Sequence, residues 1–258
     1  MSNSRRRFRP FRALGFLILT ILLVGLTTAA ICGMVFAVYI NKYVSNDVEI
    51  YLDSYRLNLT SFIYYTDPET GEEVELSSLH GMEDRVWVDL EDIPKQLQLA
   101  FISVEDNSFY THQGVNWKRT IGATINWTGM LNDFTGGGST ITQQLTGLVF
   151  LDRTEKSYTR KLKEAMLSLK VEKEYSKDEI LTHYLNRAYF GGGAYGIEAA
   201  AEYFFAKHAS ELTVPEAAML AGCIQNPSKW SPIGFPENAL KRRNLVLDQM
   251  AECEFITK

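Results

Sequence analysis

Two stretches of the chain carry side chains suited to acid–base chemistry on a sugar. Glu105 to Gly114 sets two adjacent carboxylates before an aromatic residue, a histidine and a glycine. Gly136 to Gln144 follows about twenty residues later and is rich in glycine, hydroxyl and amide groups. A positioned carboxylate can take a proton as a general base, and hydroxyl and amide groups both donate and accept hydrogen bonds. The order of the two stretches indicates general-base chemistry on a polyhydroxylated substrate.

A cluster of opposite charges lies further along the chain, at Arg160, Lys161, Lys163 and Glu164. On a helix, Glu164 is one turn from both Arg160 and Lys161, so the acid and two cations share a face. A solvated ion-pair face worth about 0.2–0.5 kcal/mol per pair has the same pattern. This segment alone leaves both interpretations open.

The N-terminus predicts where this chemistry takes place. Residues 13–40 carry no charged side chain, which is long enough for one transmembrane helix. Residues 1–12 form a basic tail with five arginines, which predicts a cytoplasmic N-terminus and a catalytic domain on the extracytoplasmic side of the cytoplasmic membrane. A cleaved signal peptide is the alternative. The run is longer than a typical signal-peptide core and lacks a clean small-residue cleavage site, which favours a single-pass anchor.

Composition narrows the range of partners. All 31 acidic residues lie beyond Ile40 with 21 of the 26 basic ones, so this part has a formal net charge of −10. A nucleic-acid partner is therefore not expected, since it would select a basic face. The three cysteines provide no disulfide framework.

Turn and capping signals predict a mainly α fold. Residues 41–85 are predicted to be a stalk with a short β-hairpin around Asp67 to Gly71, and residues 86–258 one compact helical domain. Pro94 is typical of a helix start, and Ser176 to Glu179 forms a capping box. The predicted helices cover 93–103, 116–131 and 157–175, then one from Ser176 to the glycines at 191–193 and one from Thr213 to Asn226.

Five ordered motifs between residues 86 and 250 carry a resemblance to a known family. They are E-D-x-x-F-x-x-H-x-G at Glu105 to Gly114, G-x-S-T-I-T-Q-Q at Gly137 to Gln144, R-K-x-x-E at Arg160 to Glu164, K-x-x-I-L-x-x-Y-L-N at Lys177 to Asn186 and R-R-x-x-V-L at Arg242 to Leu247. The chain resembles the peptidoglycan glycosyltransferase domain, glycosyltransferase family 51, of class A penicillin-binding proteins and monofunctional transglycosylases.

The resemblance implies a lysozyme-like helical head lobe beside a small jaw that dips into the membrane. Trp117 to Phe134 is the segment expected in the jaw, and the alternative is that its apolar residues face the core. The substrates implied are lipid II as acceptor and a glycan chain on undecaprenyl diphosphate as donor. Divisome or elongation-machinery proteins are implied as further partners.

The resemblance also assigns roles to individual residues. Glu105 is the general base that takes the proton of the acceptor hydroxyl, and Glu164 is the second essential carboxylate. Residues implied in substrate binding are Asp106, Ser139, Thr140, Gln143, Gln144, Lys156, Arg160, Lys161 and Lys163, with Asp106 more suited to orienting its loop. Structural roles fall to Phe109, His112, Gly114, Asn186, Arg242 and Arg243; a proton-transfer role for His112 is the less favoured alternative. No prosthetic group is implied, although Mg²⁺ or Mn²⁺ is expected to assist at the diphosphate, with no ligand cluster marking its site.

The chain departs from the family pattern at Gly147. Family members usually carry Lys-Asn two residues after the paired glutamines, and that lysine helps to hold the donor diphosphate; here Gly147 and Leu148 follow. Lys156 stands where the family often has a diphosphate-binding arginine. Losing a cation weakens recognition that depends on summed charge-assisted contacts.

The sequence leaves two other classes of function open. One is a lysozyme-like hydrolase or lytic enzyme, against which the Arg160 to Lys163 cations argue, and the other is a membrane-anchored scaffold with an impaired site. No S-x-x-K or K-T-G transpeptidase signature is present. The chain is therefore read either as a monofunctional enzyme or as the N-terminal part of a bifunctional one.

Overall fold

The computed structural model describes residues 10–43, 51–52, 61–68, 71–79, 85–127, 137–152 and 158–257. The chain divides into two compact units, Met1–Glu49 and Ile50–Lys258. Lys156 and the last residues of the predicted jaw segment, 128–134, lie outside the described residues.

The first unit contains one long helix, α1 (Pro10–Tyr43). Its part from Leu14 to Val35 is, among the residues described, the one helix long and apolar enough to cross a membrane. The large apolar side chains described along this part are exposed, as expected for a helix whose surroundings would be lipid.

The second unit begins with the predicted hairpin, which is confirmed. Strands β1 (Ser61–Thr66) and β2 (Glu73–Leu79) pair antiparallel, with a bulge between Ile63 and Tyr64. Gly71 closes the connection with φ +74°, and its N–H donates to the Asp67 carbonyl. Glycine suits this position because other residues rarely adopt positive φ.

Helices make up most of the remainder, so the predicted mainly α fold class is confirmed. A 3₁₀ turn lies at Ala209–Glu211, and two very short strands lie at Tyr189–Gly191 and Ala194–Tyr195. The helices are α2 (Lys95–Glu105), α3 (Trp117–Trp127), α4 (Ile141–Val149), α5 (Tyr158–Glu174), α6 (Lys177–Arg187), α7 (Ile197–Phe205), α8 (Val214–Cys223), α9 (Pro227–Trp230) and α10 (Pro236–Glu252).

Local sequence explains where several helices begin. Thr140, Ser176 and Thr213 each form a capping box at the start of α4, α6 and α8, which satisfies backbone N–H groups that have no partner within the helix. The predicted starts of α6 and α8 are confirmed. Helix α4 was not predicted, because its glycine-rich approach resembles a loop.

The predicted end of α6 at the glycine cluster is wrong. The helix ends at Arg187, and the glycines lie in a small hairpin formed by β3 (Tyr189–Gly191) and β4 (Ala194–Tyr195). Gly191, Gly192 and Gly193 all have positive φ. The glycines are therefore required by a tight turn rather than by a helix terminus.

The core lies where α2, α8 and α10 pack together and where α4 packs against α5 and α6. Phe101 and Phe190 meet edge to face, with ring centroids 5.9 Å apart. Leu52 is fully buried; its N–H donates to Tyr175 Oη, and its carbonyl accepts from Arg187 Nη2. Leu52, which lies in the segment predicted to be a stalk, is therefore part of the core of the second unit.

The described residues of the predicted jaw segment include an exposed apolar face. Trp117 and Ile121, one turn apart on α3, are each 55% exposed. The alternative that these two side chains face the core is wrong. Contact of this face with a membrane stays a prediction.

Candidate active site

Glu105 is the last residue of α2 and is half-buried. Its Oε2 accepts a hydrogen bond of 2.7 Å from Gln144 Nε2. Burial raises the pKa of Glu105, while the Gln144 hydrogen bond and the charges of Arg242 and Arg119 oppose that rise. A carboxylate with a raised pKa near cations is suited to taking a proton.

Asp106, directly after the helix, is fully buried and connects the first motif to the second. Its Oδ2 lies 2.7 Å from His112 Nε2 and accepts from the backbone N–H of Ile141 at 3.1 Å. Its Oδ1 accepts from Ser108 Oγ at 3.2 Å. These contacts favour a positioning role for Asp106 over the predicted substrate contact, because no oxygen faces solvent.

Arg119 on α3 is a site residue that lies outside all five sequence motifs. Its guanidinium donates to the Glu105 carbonyl at 3.1 and 3.2 Å and to the Gly137 carbonyl at 2.7 Å. Arg119 therefore joins the end of α2 to the approach of α4. No spacing pattern in the sequence marks it, because its partners, which also include the Asp106 carboxylate at 3.5 Å, are brought together only by the fold.

The second motif divides between positioning and the site itself. Thr140 and Gln143 are buried and cap α4, and Thr140 Oγ1 also donates to the Gly114 carbonyl at 2.6 Å. Their side chains are occupied by the fold, which favours positioning. Ser139 is half-buried just before them, and Gln144 points to Glu105.

A cavity of about 370 Å³ opens beside α4. The residues that line it come from α4, α5, the end of α6 with the following strand β3, and the segment from the end of α8 to the start of α9. They are Gln143, Gln144, Gly147, Leu148, Arg160, Lys161, Glu164, Tyr184, Ala188, Tyr189, Ile224 and Pro227. Of the predicted substrate-binding residues that the structure describes, Asp106, Ser139, Thr140 and Lys163 are not among these lining residues.

Glu164 lies at this cavity wall with almost no exposed surface. One oxygen pairs with Arg160 Nη1 and the other with Lys161 Nζ. Arg160 also donates through Nε to the Asp152 carbonyl at 2.9 Å, whereas the Lys161 side chain is 59% exposed. The cluster has two positive charges against one negative, and Lys161 is the cation more open to a ligand.

Gly147 is buried against this cluster. A Cβ built on it would lie 3.1 Å from Glu164 Oε1 and 3.5 Å from Arg160 Nη2. The position at which the family usually carries a lysine therefore touches the paired carboxylate directly.

The residues predicted to be structural make contacts of that kind in the first motif. Phe109 is fully buried, with Lys177 Nζ 4.6 Å from its ring centroid. His112 Nδ1 accepts from the Gly114 N–H, while its other ring nitrogen faces Asp106. Gly114 has φ +89°, and a Cβ there would lie 2.6 Å from the Ser168 carbonyl oxygen. This close approach admits glycine alone.

The other predicted structural residues differ from one another. Asn186 is buried and exchanges two hydrogen bonds of 2.8 Å with the backbone of Val88. Arg243 bonds its neighbour Asn244. Arg242 is half-buried and interacts electrostatically with Glu105; burial lowers the pKa of Arg242, and Glu105 opposes that change. Arg242 therefore contributes to the environment of the proposed base.

The residues that the structure describes do not form a metal-binding cluster. Within the described ranges no group of three or more His, Cys, Asp or Glu side chains is placed to hold a metal ion. Glu164 is the carboxylate that lines the cavity, and both its oxygens already pair with cations.

Comparison with known proteins agrees with the motif pattern. A family model described as Transglycosylase matches residues 72–251, more than half of the chain. A solved structure of penicillin-binding protein 1A from Haemophilus influenzae matches with TM-score 0.42 and 23% identity, over 78% of this chain and 20% of that one. That structural similarity is too low to carry the assignment.

Two sequence relatives extend the comparison. Penicillin-binding protein 1A of Aquifex aeolicus (strain VF5) is 41% identical over 201 residues, 75% of this chain and 27% of the relative. Penicillin-binding protein 1F of Bacillus subtilis (strain 168) is 38% identical over 237 residues, 92% of this chain and 31% of the relative. The chain spans less than a third of the length of either relative. The resemblance carried by the five motifs is confirmed, and the chain belongs to the transglycosylase family.

Proposed function

We propose that this chain is a peptidoglycan glycosyltransferase that polymerises lipid II into β-1,4 glycan strands. One observation carries the proposal. One cavity is lined both by the cations Arg160 and Lys161 and by Gln144, the hydrogen-bond partner of Glu105. A general base beside a cationic cluster fits glycosyl transfer with loss of a diphosphate better than glycan hydrolysis, which releases no such anion.

In the proposed step, Glu105 takes the proton of the acceptor 4-hydroxyl while the oxygen of that hydroxyl attacks C1 of the donor sugar. The new C1–O bond forms as the bond from C1 to the diphosphate oxygen breaks, and the configuration changes from α to β. Base and leaving group must then lie on opposite faces of the sugar, as in inverting glycosidases. In this proposal Glu105 acts from one of these faces and the Arg160 cluster holds the diphosphate at the other.

The leaving undecaprenyl diphosphate carries the negative charge away. Lys161, with its exposed ammonium, and Arg160 would stabilise that charge as it develops. Glu164 holds both cations in place. Lys163 and Lys156 remain proposed contributors through the charge of the surrounding surface.

No metal-dependent step is proposed. Mg²⁺ prefers oxygen ligands and usually binds through one or two carboxylates plus substrate phosphates. The Glu164 carboxylate is already paired with two cations, so the described donor set does not fit a resident ion.

The proposed location is the outer face of the cytoplasmic membrane. Helix α1 is long and apolar enough to span a bilayer, and the arginines before it favour a cytoplasmic N-terminus. The exposed Trp117 and Ile121 would rest on the lipid surface from which the substrates are drawn. Divisome or elongation-machinery proteins are proposed partners of the assembled enzyme.

The test is polymerisation of labelled lipid II by the detergent-solubilised protein. Glu105→Gln should lower the rate of glycan formation by about 10²–10⁴-fold, the usual contribution of a general base. Exposed Glu174→Gln on α5 is the matched control and should leave the rate unchanged. A wild-type protein that makes no polymer under varied detergents and metal ions would overturn the proposal, and release of fragments from finished peptidoglycan would support a hydrolase instead.

A further inference from the structure

Three polar side chains form a chain of hydrogen bonds that ends at Glu105. Tyr184 Oη donates to Gln144 Oε1 at 3.1 Å, and Gln144 Nε2 donates to Glu105 Oε2 at 2.7 Å. Tyr184 comes from α6, Gln144 from α4 and Glu105 from α2. Tyr184 is 1% exposed, so nearly all of its surface is buried in the protein.

We propose that Tyr184 is a positioning residue, which acts through Gln144 to hold the Glu105 carboxylate in the orientation and protonation state that a general base requires. The inference deepens the proposed function and rests on it. Tyr184 belongs to the fourth motif, where the sequence shows only an apolar stripe with Leu181 and Leu185.

A glutamine side chain presents a donor NH₂ on one side and an acceptor oxygen on the other. A hydroxyl proton directed at Oε1 fixes which end faces α6. The NH₂ group must then face Glu105, where it can bond only to an oxygen that carries a lone pair.

A donor directed at Oε2 stabilises the ionised carboxylate. The other oxygen, Glu105 Oε1, makes no hydrogen bond to any described residue. That oxygen is therefore left for the substrate hydroxyl. In this network, Oε2 holds the carboxylate in place through Gln144, and Oε1 accepts the proton of the substrate.

The charges around Glu105 are consistent with this role for the network. Arg242 from α10 and Arg119 from α3 favour the ionised form, while burial and Asp106 favour the neutral one. Tyr184 faces the same negative charges, and its burial together with Glu105 and Asp106 raises its pKa well above the ordinary value. The hydroxyl therefore remains a donor across the working pH range.

The first test compares pH profiles of lipid II polymerisation. Since Glu105 must be ionised, activity falls as pH drops through its pKa. Tyr184→Phe removes the donor, loosens the amide and should move the acidic limb of kcat/KM upward by about one pH unit. It should also lower kcat by on the order of tenfold with little change in KM. Tyr175→Phe is the control, since it removes a hydroxyl that bonds Leu52 away from the site.

A second variant separates action through Gln144 from a general packing effect. Gln144→Ala should shift the acidic limb at least as far as Tyr184→Phe. Adding Tyr184→Phe to Gln144→Ala should then produce no further shift, because the path to Glu105 is already cut. An equal shift in both backgrounds, or a profile for Tyr184→Phe identical to that of wild type, would overturn the proposal. If Tyr184→Phe did not fold, the Gln144→Ala shift alone would still decide whether the amide supports the carboxylate.

A substrate-free measurement distinguishes failure of the inference from failure of the proposed function. Carboxyl ¹³C resonances of labelled glutamate, with Glu105 assigned by its loss in Glu105→Gln, report the pKa of Glu105 directly. An upward shift in Tyr184→Phe with an inactive wild type would retain the network and reject the glycosyltransferase. No shift with an active wild type would reject the network alone.

Discussion

At the scale of single residues, Gly147 determines how closely Glu164 and Arg160 pack against α4. Its missing side chain lets Glu164 and Arg160 pack directly against α4. The family pattern places a diphosphate-binding lysine at this position, so the chain has exchanged one cation for a close contact. Lys161 then remains as the well-exposed positive charge on the described cavity wall.

Returning a lysine to this position tests that account. Gly147→Lys should lower KM for the lipid-linked substrate by about tenfold, since one charge-assisted contact is worth about 1.5–3 kcal/mol. Gly147→Ala is the matched control, because its Cβ crowds Glu164 in the same way and adds no charge. Initial rates over a range of lipid II concentrations measure the effect. Equal KM values for the two variants would mean that the lysine position does not reach the diphosphate in this chain.

The catalytic candidates were visible in the sequence and their supports were not. Glu105 and Glu164 stand out because each belongs to a sequence motif whose residue types indicate a chemical role. Arg119 and the hydroxyl of Tyr184 do not, because their partners are 14 and 40 positions away along the chain and only the fold brings them near. Sequence patterns report short-range spacing, whereas site support is a property of tertiary contacts.

At the scale of elements, α6 sets the direction of the Tyr184 side chain, on which the proposed network depends. Its start is held by Ser176, whose hydroxyl accepts from the Glu179 N–H, and by Glu179, whose carboxylate accepts from the Ser176 N–H and hydroxyl. Tyr184 lies two turns later on the face that meets α4. An intact N-terminus of α6 therefore keeps the tyrosine hydroxyl directed at Gln144.

Ser176→Ala should lower the free energy of unfolding at neutral pH by about 1 kcal/mol, the usual cost of losing a helix cap. Hydrogen bonds from Ser176 lower the pKa of Glu179, so the stability they provide is present above the unfolded-state pKa and is lost as pH falls through the folded-state value. The difference between variant and wild type should shrink in acid. Urea unfolding at neutral and acidic pH measures it, with exposed Ser228→Ala as the control. A constant difference would argue against the role of Glu179.

Capping chemistry allowed the starts of α6 and α8 to be predicted, because a capping box is local to four residues. The same local logic failed at the glycine cluster. Strands β3 and β4 have three and two residues, too few for alternation to appear. A run of glycine is equally typical of a helix end and of a tight turn, so only the structure could decide between them.

At the scale of the whole molecule, the two compact units make different contributions. The second unit has its own core and contains every described site residue, so it is expected to fold without the first. A chain that starts at Ile50 should keep the thermal unfolding midpoint of the full chain and bind lipid vesicles less strongly. Circular dichroism and vesicle flotation measure the two effects. Loss of cooperative unfolding in the shortened chain would show that the first unit is needed for the fold.

Asp106 makes the site depend on the joint packing of three segments of the second unit. The groups that bond its carboxylate come from the loop after α2, from α3 and from the start of α4. A chain in which α4 has come away would keep its other helices and lose the environment of its base. Heat inactivation is therefore expected at or below the temperature of global unfolding, with no loosened intermediate that still turns over substrate.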